Sequence, residues 1–389
     1  MNELNDFLEE SKVRFHSSFG YKPAFIAAAP GRINIIGEHT DYNEGLSMPA
    51  AINRWIVVSG SKRNDRRFVF RSRDYDGEFS FKFGEVLQPI TSWHKYLYGA
   101  INIFFEKSSA EFGADIFLMG NIPVGSGVSS SAGLLTAIFN FFRVIYRMED
   151  DNTLVKYCQQ TEHRYLGVKS GILDQSASQF SKSGKLMVLD FKVPMHYYID
   201  ANLKDWVWVL ADSKVKRELA GSKYSERVDE TKKALLILIE KIPRIKHFRD
   251  IRIEDVPEIS DEILRKRILH YVEENQRVEE TVEVLKKGDF VALGDLLKKS
   301  HASLQNLYEV SCKELDYLVD LATNFEGCVG GRMMGGGFGG CTINLVKKTK
   351  LNEFKRYISE RYKLQTGIDT ELNVYEIVEG AFGAEIYYM

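Results

Sequence analysis

Within ten positions, from Arg32 to Asp41, the chain gathers a guanidinium, two carboxylates and an imidazole: Arg32, Glu38, His39 and Asp41. Glu38 and Asp41 can accept hydrogen bonds from hydroxyl groups, and His39 can donate or accept. A polyhydroxylated ligand needs such a set, because each hydroxyl must be paired once it leaves water. The same residues would also furnish a solvated loop with a local Arg–Asp pair, and a short motif alone admits false positives.

A second segment, Pro123-Val124-Gly125-Ser126-Gly127-Val128-Ser129-Ser130-Ser131-Ala132-Gly133, stands directly before a helical pattern. Its glycines let the backbone approach a ligand, and successive amides at a helix N-terminus form a cradle for an anion. One serine hydroxyl can ligate Mg²⁺. The Lys-Ser/Thr ending of a Walker A loop is absent, and a serine-rich helix cap is the ordinary reading of such a turn.

A third segment, Gly330 to Cys341, holds seven glycines in twelve positions. It reads as a flexible hairpin or as backbone closely approached by another group, either a phosphate-bearing ligand or the second segment itself. Between the second and third segments lie Thr161-Glu162-His163 and Gly171-Ile172-Leu173-Asp174-Gln175-Ser176. Phosphoryl transfer wants one carboxylate for the metal and one beside the attacking hydroxyl, which Glu162 and Asp174 can supply. Two helix-capping acids are the plainer alternative, and His163 equally suits a surface position.

These segments need elements to hold them. The spacing predicts strands at Phe25–Ala29 (ended by Pro30-Gly31), Trp55–Gly60, Phe68–Arg71, Glu78–Phe83, Ala114–Met119 and Lys185–Asp190. Helices are expected over Trp93–Phe105, from Leu134 onward, and over Leu154–Leu166. Past a strand at Trp206–Ala211, helical periodicity covers Tyr224–Lys241, Asp261–Leu285, Leu293–Leu307 and Leu351–Lys363. A hairpin at Gly327–Leu345 and a final strand at Glu371–Val378 complete an α+β pattern in both halves. With 389 residues, two domains are expected, 1–195 and 196–389.

Composition narrows the class. The chain is 44% apolar and 27% charged with a net charge of −2, which offers no general attraction to nucleic acid or acidic membrane. Four scattered cysteines lack metal-ligand or disulfide spacing and suit a reducing compartment. The acidic N-terminus lacks the features of a secretion signal, and the apolar stretch Leu134–Ile145 is too short to span a bilayer. A cytoplasmic protein, monomeric and without an obligatory protein partner, is expected.

The three segments, in this order, resemble the three motifs of the GHMP small-molecule kinase superfamily. Gly31 to Asn43 is similar, almost residue for residue, to the N-terminal motif of the galactokinases. Further likeness runs through Trp93, Tyr96-Leu97-Tyr98-Gly99, Ser222-Lys223-Tyr224, Ser300 to Leu304, Tyr308 to Ser311, Leu315-Asp316 and Arg332-Met333. Departures stand at Leu46-Ser47-Met48, Asn121 and Met334, and the tail from Glu379 is only loosely similar.

The resemblance implies a two-lobed α+β GHMP-kinase fold with its active site in the cleft between lobes. It implies transfer of the γ-phosphoryl of ATP to the anomeric hydroxyl of α-D-galactose, with Mg²⁺. Asp174 matches the aspartate set against that hydroxyl and Arg32 its neighbouring arginine. Glu38, His39, Asp41, Gly171 and Tyr224 match sugar-binding positions. Gly125, Ser126, Gly127, Val128, Ser129, Ser130, Ser131 and Trp93 match the ATP side, and Ser131 and Glu162 the metal side. A same-fold kinase for N-acetylgalactosamine, arabinose or a uronic acid is the alternative, as is a non-catalytic galactose and ATP sensor. The sensor relatives lack a Ser-Ala pair in the phosphate loop, and this chain keeps Ser131-Ala132.

Overall fold

The computed structural model describes residues 3–388 apart from 89–90, 107–110, 124, 148–150, 194 and 216–219. Val124 of the second segment therefore lies outside the described residues. The first half runs α1 (Glu3–Phe19), β1 (Phe25–Asn34), β2 (Leu46–Ser47), β3 (Pro49–Lys62), β4 (Arg67–Ser72) and β5 (Glu78–Lys82). It continues through α2 (Ser92–Phe104), β6 (Ala114–Gly120), α3 (Ser130–Tyr146), α4 (Asp151–Thr161), α5 (Leu173–Phe180) and β7 (Lys185–Asp190). Next come β8 (Met195–Asp200), β9 (Trp206–Asp212), α6 (Ala220–Lys241), α7 (Glu262–Lys287), α8 (Phe290–Asn306) and α9 (Lys313–Thr323). The chain closes with β10 (Cys328–Met334), β11 (Cys341–Lys347), α10 (Leu351–Thr366), β12 (Glu371–Val374) and β13 (Phe382–Glu385).

Three sheets organise these strands: β13-β1-β3-β6-β4-β5, β10-β11-β9-β12 and the small β2-β7-β8. In the large sheet only β4 and β6 run parallel among the paired strands. Every residue of β1 is buried, which is why it reads as an apolar run without alternation. Its Ala27 and Ala29 face the core shared with α2, α3 and α4, while Ile26 and Ala28 face α1. Small side chains there let α3 lie close to the sheet.

β1 does not stop at Pro30-Gly31 as its sequence suggests, but continues to Asn34 with a register shift between Pro30 and Arg32. Its pairing with β13 ends at Ala28, so Pro30 has a strand on one side only and its missing N–H breaks no second ladder. The bulge carries the strand onward into the polar turn. A core of Ile33, Ile35, Ile36, Met48, Ile122 and Val128 packs there on Val278, Val282, Leu293 and Leu297 of α7 and α8. The apolar residues of the turn thus anchor it, and the polar ones between them are left for other work.

Other boundaries also move. α4 ends at Thr161 and passes into a π-helical turn, Glu162–Leu166, a departure that often marks functional sites. The expected last strand ends at Val374, followed by a single bridge between Ile52 and Ile377. β13 and the hairpin partner β8 lie beyond what the sequence suggested. Residue 195 opens β8, which pairs with β7 along its whole length. Among the described residues no helix is long and apolar enough to cross a membrane, and none of the four cysteines is in a disulfide.

Candidate active site

The turn after β1 is clamped to the third segment by buried ionic contacts. Fully buried Arg332 donates from Nε to the Ile35 carbonyl and from Nη2 to the Asn34 carbonyl, each at 2.7 Å. Its Nη2 also lies 3.2 Å from Glu38 Oε1. The same Glu38 oxygen accepts from the Gly335 amide at 2.7 Å. Gly335, Gly337, Gly339 and Gly340 all have positive φ, so the glycine run exists to fold tightly around its neighbours. Those neighbours are Glu38, Val310 and Val215, and the run touches the second segment where the Cys341 thiol meets the Ser126 carbonyl.

Arg32 ties the turn to α5 and to the second segment. Its Nε donates to Asp174 Oδ1 at 2.8 Å, and its Nη1 donates to the Gly127 carbonyl. The Ser129 hydroxyl donates to the other oxygen, Asp174 Oδ2. Asp174, in the first turn of α5, is therefore aimed by two donors from two different segments, while its side chain stays 34% exposed to the cavity.

That cavity encloses about 180 Å³ and is lined by Arg32, Glu38, His39, Asp41, Ser131 and Glu162, with Gly171, Asp174 and Tyr224 completing the sequence-expected set. It is smaller than the ~300–1,000 Å³ of drug-sized pockets and suits a compact polar molecule. Four carboxylates crowd it. Burial, then the nearby Asp174, pushes Asp41 up to about 7. Burial and Asp174 likewise push Glu162 up to about 7, against the hydrogen bonds it accepts from Ser170 and Gln175. Gly171 has no side chain for a plain reason: the Asp41 carboxylate sits where a Cβ would stand.

His39 and Tyr224 close one end. Their rings are 5.3 Å apart, and Tyr224 extends from the first turns of α6. Burial is the main reason that His39 is pulled down to about 3 and is neutral. Burial likewise lifts the Tyr224 hydroxyl well above the usual tyrosine value, with Asp41 and Asp174 adding to it. His163, by contrast, is exposed, with Nε2 2.8 Å from the Ser170 carbonyl.

The second segment turns sharply into α3, with Gly125, Gly127 and Ser129 in the left-handed region. Ser126 and Val128 face inward: the Ser126 hydroxyl donates to Asp212 at 2.8 Å, and Val128 joins the core. Ser130 and Ser131 face outward into an apolar cleft that also receives Tyr75, Trp93, Tyr96 and Leu134. Trp93 stacks on Tyr75 at 5.3 Å and 10°. The polar cavity and this cleft share Ser131, so a flat apolar group in one can be joined to an anion beside the other. Among the described residues no three His, Cys, Asp or Glu side chains form a metal cluster.

Four contributors escaped the sequence reading. Arg332 was named only within the family likeness at Arg332-Met333, with no partner or role. Ser170 and Gln175 flank Gly171 and Asp174 and hold Glu162. Glu274, fully buried in α7, accepts from the Gly37 amide at 2.9 Å and from Ser300 at 2.7 Å. A glutamate on a charged, periodic helix carries no local hint of such a partner.

Comparison with known proteins adds independent findings. A galactokinase galactose-binding signature matches residues 13–62, the GHMP kinases N terminal domain matches 95–182, and the GHMP kinases C terminal domain matches 281–364. The galactokinase of Thermotoga petrophila is 39% identical over 357 residues, 90% of this chain and 98% of its own length. That of Fusobacterium nucleatum is 35% identical, covering 91% and 93%. The crystal structure of Lactococcus lactis galactokinase complexed with galactose superposes with a TM-score of 0.91 at 31% identity, over 98% of this chain and all of that one. A mevalonate kinase structure shares the fold at a TM-score of 0.64 and 19% identity.

Proposed function

The chain belongs to the galactokinase family of GHMP kinases, and from that premise we propose that it phosphorylates α-D-galactose at the anomeric oxygen, with ATP as donor. The observation that carries this reading is Asp174, gripped by Arg32 and Ser129 on the wall of a polar cavity that also holds Glu38, His39, Asp41 and Tyr224. The acids and the imidazole pair the sugar hydroxyls. The apolar cleft at Trp93 takes the adenine, and the amides of Gly125 to Ser131 lead the phosphates to the start of α3.

Asp174 orients the anomeric hydroxyl and accepts its proton as the bond to phosphorus forms, late in a loose transition state. Arg32 keeps the carboxylate aimed and offsets charge on the transferred group. Mg²⁺ fits the donors present: Ser131 and Glu162 are one hydroxyl and one carboxylate, and this ion binds few protein ligands alongside phosphate oxygens. Crowding that lifts Glu162 and Asp41 marks a place where a cation is welcome. When bound, the ion neutralises phosphate charge. We read the two lobes as meeting after β8 rather than at residue 195, with β13 returned to the sheet of the first lobe, working as a cytoplasmic monomer.

The test is kcat/KM for galactose, glucose and N-acetylgalactosamine under one set of conditions. A site built to hydrogen-bond a hydroxyl rejects an analogue that misplaces it by about 10⁴-fold. Galactose is expected to be used efficiently and glucose negligibly, and preference for either rival sugar would overturn the substrate. For the metal, Glu162→Gln and Ser131→Ala are expected to raise the Mg²⁺ requirement and spare galactose affinity. Unchanged Mg²⁺ activation curves would remove both residues from that role.

A further inference from the structure

A serine placed as Ser129 is would ordinarily cap its helix. Its carbonyl accepts from the Gly133 amide at 3.0 Å, so α3 begins on it. An N-cap serine in extended backbone turns its hydroxyl onto an amide of the first turn. Ser129 does not. Its backbone is left-handed, with φ 61° and ψ 54°, and its side chain caps no amide. The hydroxyl goes to Asp174 Oδ2 instead. Glycine adopts such a backbone at less cost, as Gly125 and Gly127 do just before it. A strained residue kept at that place implies a use for its side chain.

The two oxygens of Asp174 have unequal surroundings. Oδ1 accepts from Arg32 Nε at 2.8 Å and lies 2.7 Å from Nη2 of the same guanidinium. Oδ2 receives the Ser129 hydroxyl, and no second donor to it stands among the described residues. An ionised carboxylate oxygen accepts about two hydrogen bonds. Oδ1 is therefore covered by the arginine, and the cation beside it makes it the poorer base. Oδ2 keeps a lone pair for a ligand, on a side chain that lines the cavity.

We propose that Oδ2 is the atom of Asp174 that takes the anomeric proton, and that the Ser129 hydroxyl positions it rather than binding the nucleotide. As the sugar O–H bond breaks, its proton passes to the free lone pair of Oδ2. The electron pair left on the sugar oxygen forms the bond to phosphorus, and the bond from phosphorus to ADP breaks with its electrons going to ADP. The Ser129 hydroxyl donates to Oδ2 throughout, so the carboxyl group cannot turn to offer Oδ1. The loop that carries Ser129 is itself held from this side: Arg32 Nη1 donates to the Gly127 carbonyl, and the Arg32 amide to the Val128 carbonyl at 3.1 Å. The inference rests on the reading of Asp174 as the proton acceptor.

The test is a double-mutant cycle on kcat. Ser129→Gly removes the hydroxyl and suits the left-handed backbone, so its melting temperature is expected to stay close to the parent's. Its kcat is expected to fall about tenfold, the scale of one hydrogen bond to a charged group, with KM for galactose and for ATP within about twofold. In Asp174→Asn the same substitution is expected to change kcat by less than about twofold, because the group it acts through is gone. An equal loss in both backgrounds would mean that the hydroxyl serves the nucleotide, and would overturn the proposal. Parental kcat in Ser129→Gly beside a crippled Asp174→Asn would overturn it too, leaving the role of Asp174 intact. Near-parental turnover in Asp174→Asn would sink the reading of Asp174, and this inference with it. If Ser129→Gly does not fold, a crystal structure of the parent with galactose decides. The anomeric oxygen is expected to lie nearer to Oδ2 than to Oδ1, and the reverse order would overturn the proposal.

Discussion

The turn after β1 and the loop before α3 face the same cavity, yet they are held differently. From Gly31 to Thr40 every residue of the turn is buried, whereas Gly125 is exposed and Ser129, Ser130 and Ser131 are half-exposed. Glu38 is fixed by Arg332 and Gly335, the Gly37 amide by Glu274, and His39 by Tyr42. The loop's serines make fewer such ties, chiefly Ser126 to Asp212 and Ser129 to Asp174. A turn whose polar groups are fixed in advance can discriminate between hydroxyl arrangements, because a misplaced hydroxyl leaves a buried partner unpaired. On the proposed reading, the loop gains its partners from the phosphates its amides receive.

Asp174, where the two regions meet, gives the largest expected effect. Asp174→Asn is expected to lower kcat by about 10²–10⁴-fold while calorimetry still detects galactose and nucleotide binding. Near-parental turnover would mean that the meeting point carries no chemistry. Breaking the turn comes next. Arg332→Met leaves Glu38 buried without its cation, and denaturant unfolding is expected to show a loss of about 3–5 kcal/mol. On the loop side, Ser126→Ala removes one partner of Asp212, which Lys214 still approaches at 3.1 Å. A loss of about 1 kcal/mol is expected there. Equal losses from the two substitutions would erase the contrast between turn and loop.

A last prediction separates the regions by pH. Asp41 titrates near 7 when folded and near 3.8 when free. Its raised value means the folded state holds the proton longer, so its contribution is intact below about pH 4 and is lost as pH rises toward 7. Asp41→Asn removes that loss. The melting temperature of the unliganded variant is expected to exceed the parent's at pH 8, with the gap closing toward pH 4. A gap independent of pH would show that Asp41 does not ionise at strain in the free enzyme.

What could be read in advance divides along the same line. Arg32, Glu38, His39 and Asp41 were legible because chemistry demands those types close together, Glu162 and Asp174 as a pair of acids for metal and hydroxyl, and Tyr224 only through the family resemblance; all of them line one cavity. The long helices were legible through periodicity, as α6, α7 and α8 show. Arg332 and Glu274 were not, because their meaning comes from partners hundreds of positions away, as Arg332 with Glu38 and Glu274 with Gly37 show. β1 was cut short at Pro30-Gly31 because a proline in a strand looks like an end until the neighbouring strand is known to be missing. β13 was overlooked for a related reason: four residues of modest hydrophobicity become a strand only against β1.

That late pairing bears on how the molecule is made. β1 leads directly into the turn that carries Glu38, His39 and Asp41, and its outer edge is covered by Phe382–Glu385, contributed from the far end of the described chain. On the ribosome, domains form as the chain emerges, at about 5–20 residues per second. β1 can pair with β3 early, but its other edge stays bare until residues 382–385 have been translated. A bare edge is a template for pairing with a stranger. Newly made chains are therefore most vulnerable to mispairing in the interval before the tail arrives, and chaperone capture should concentrate there.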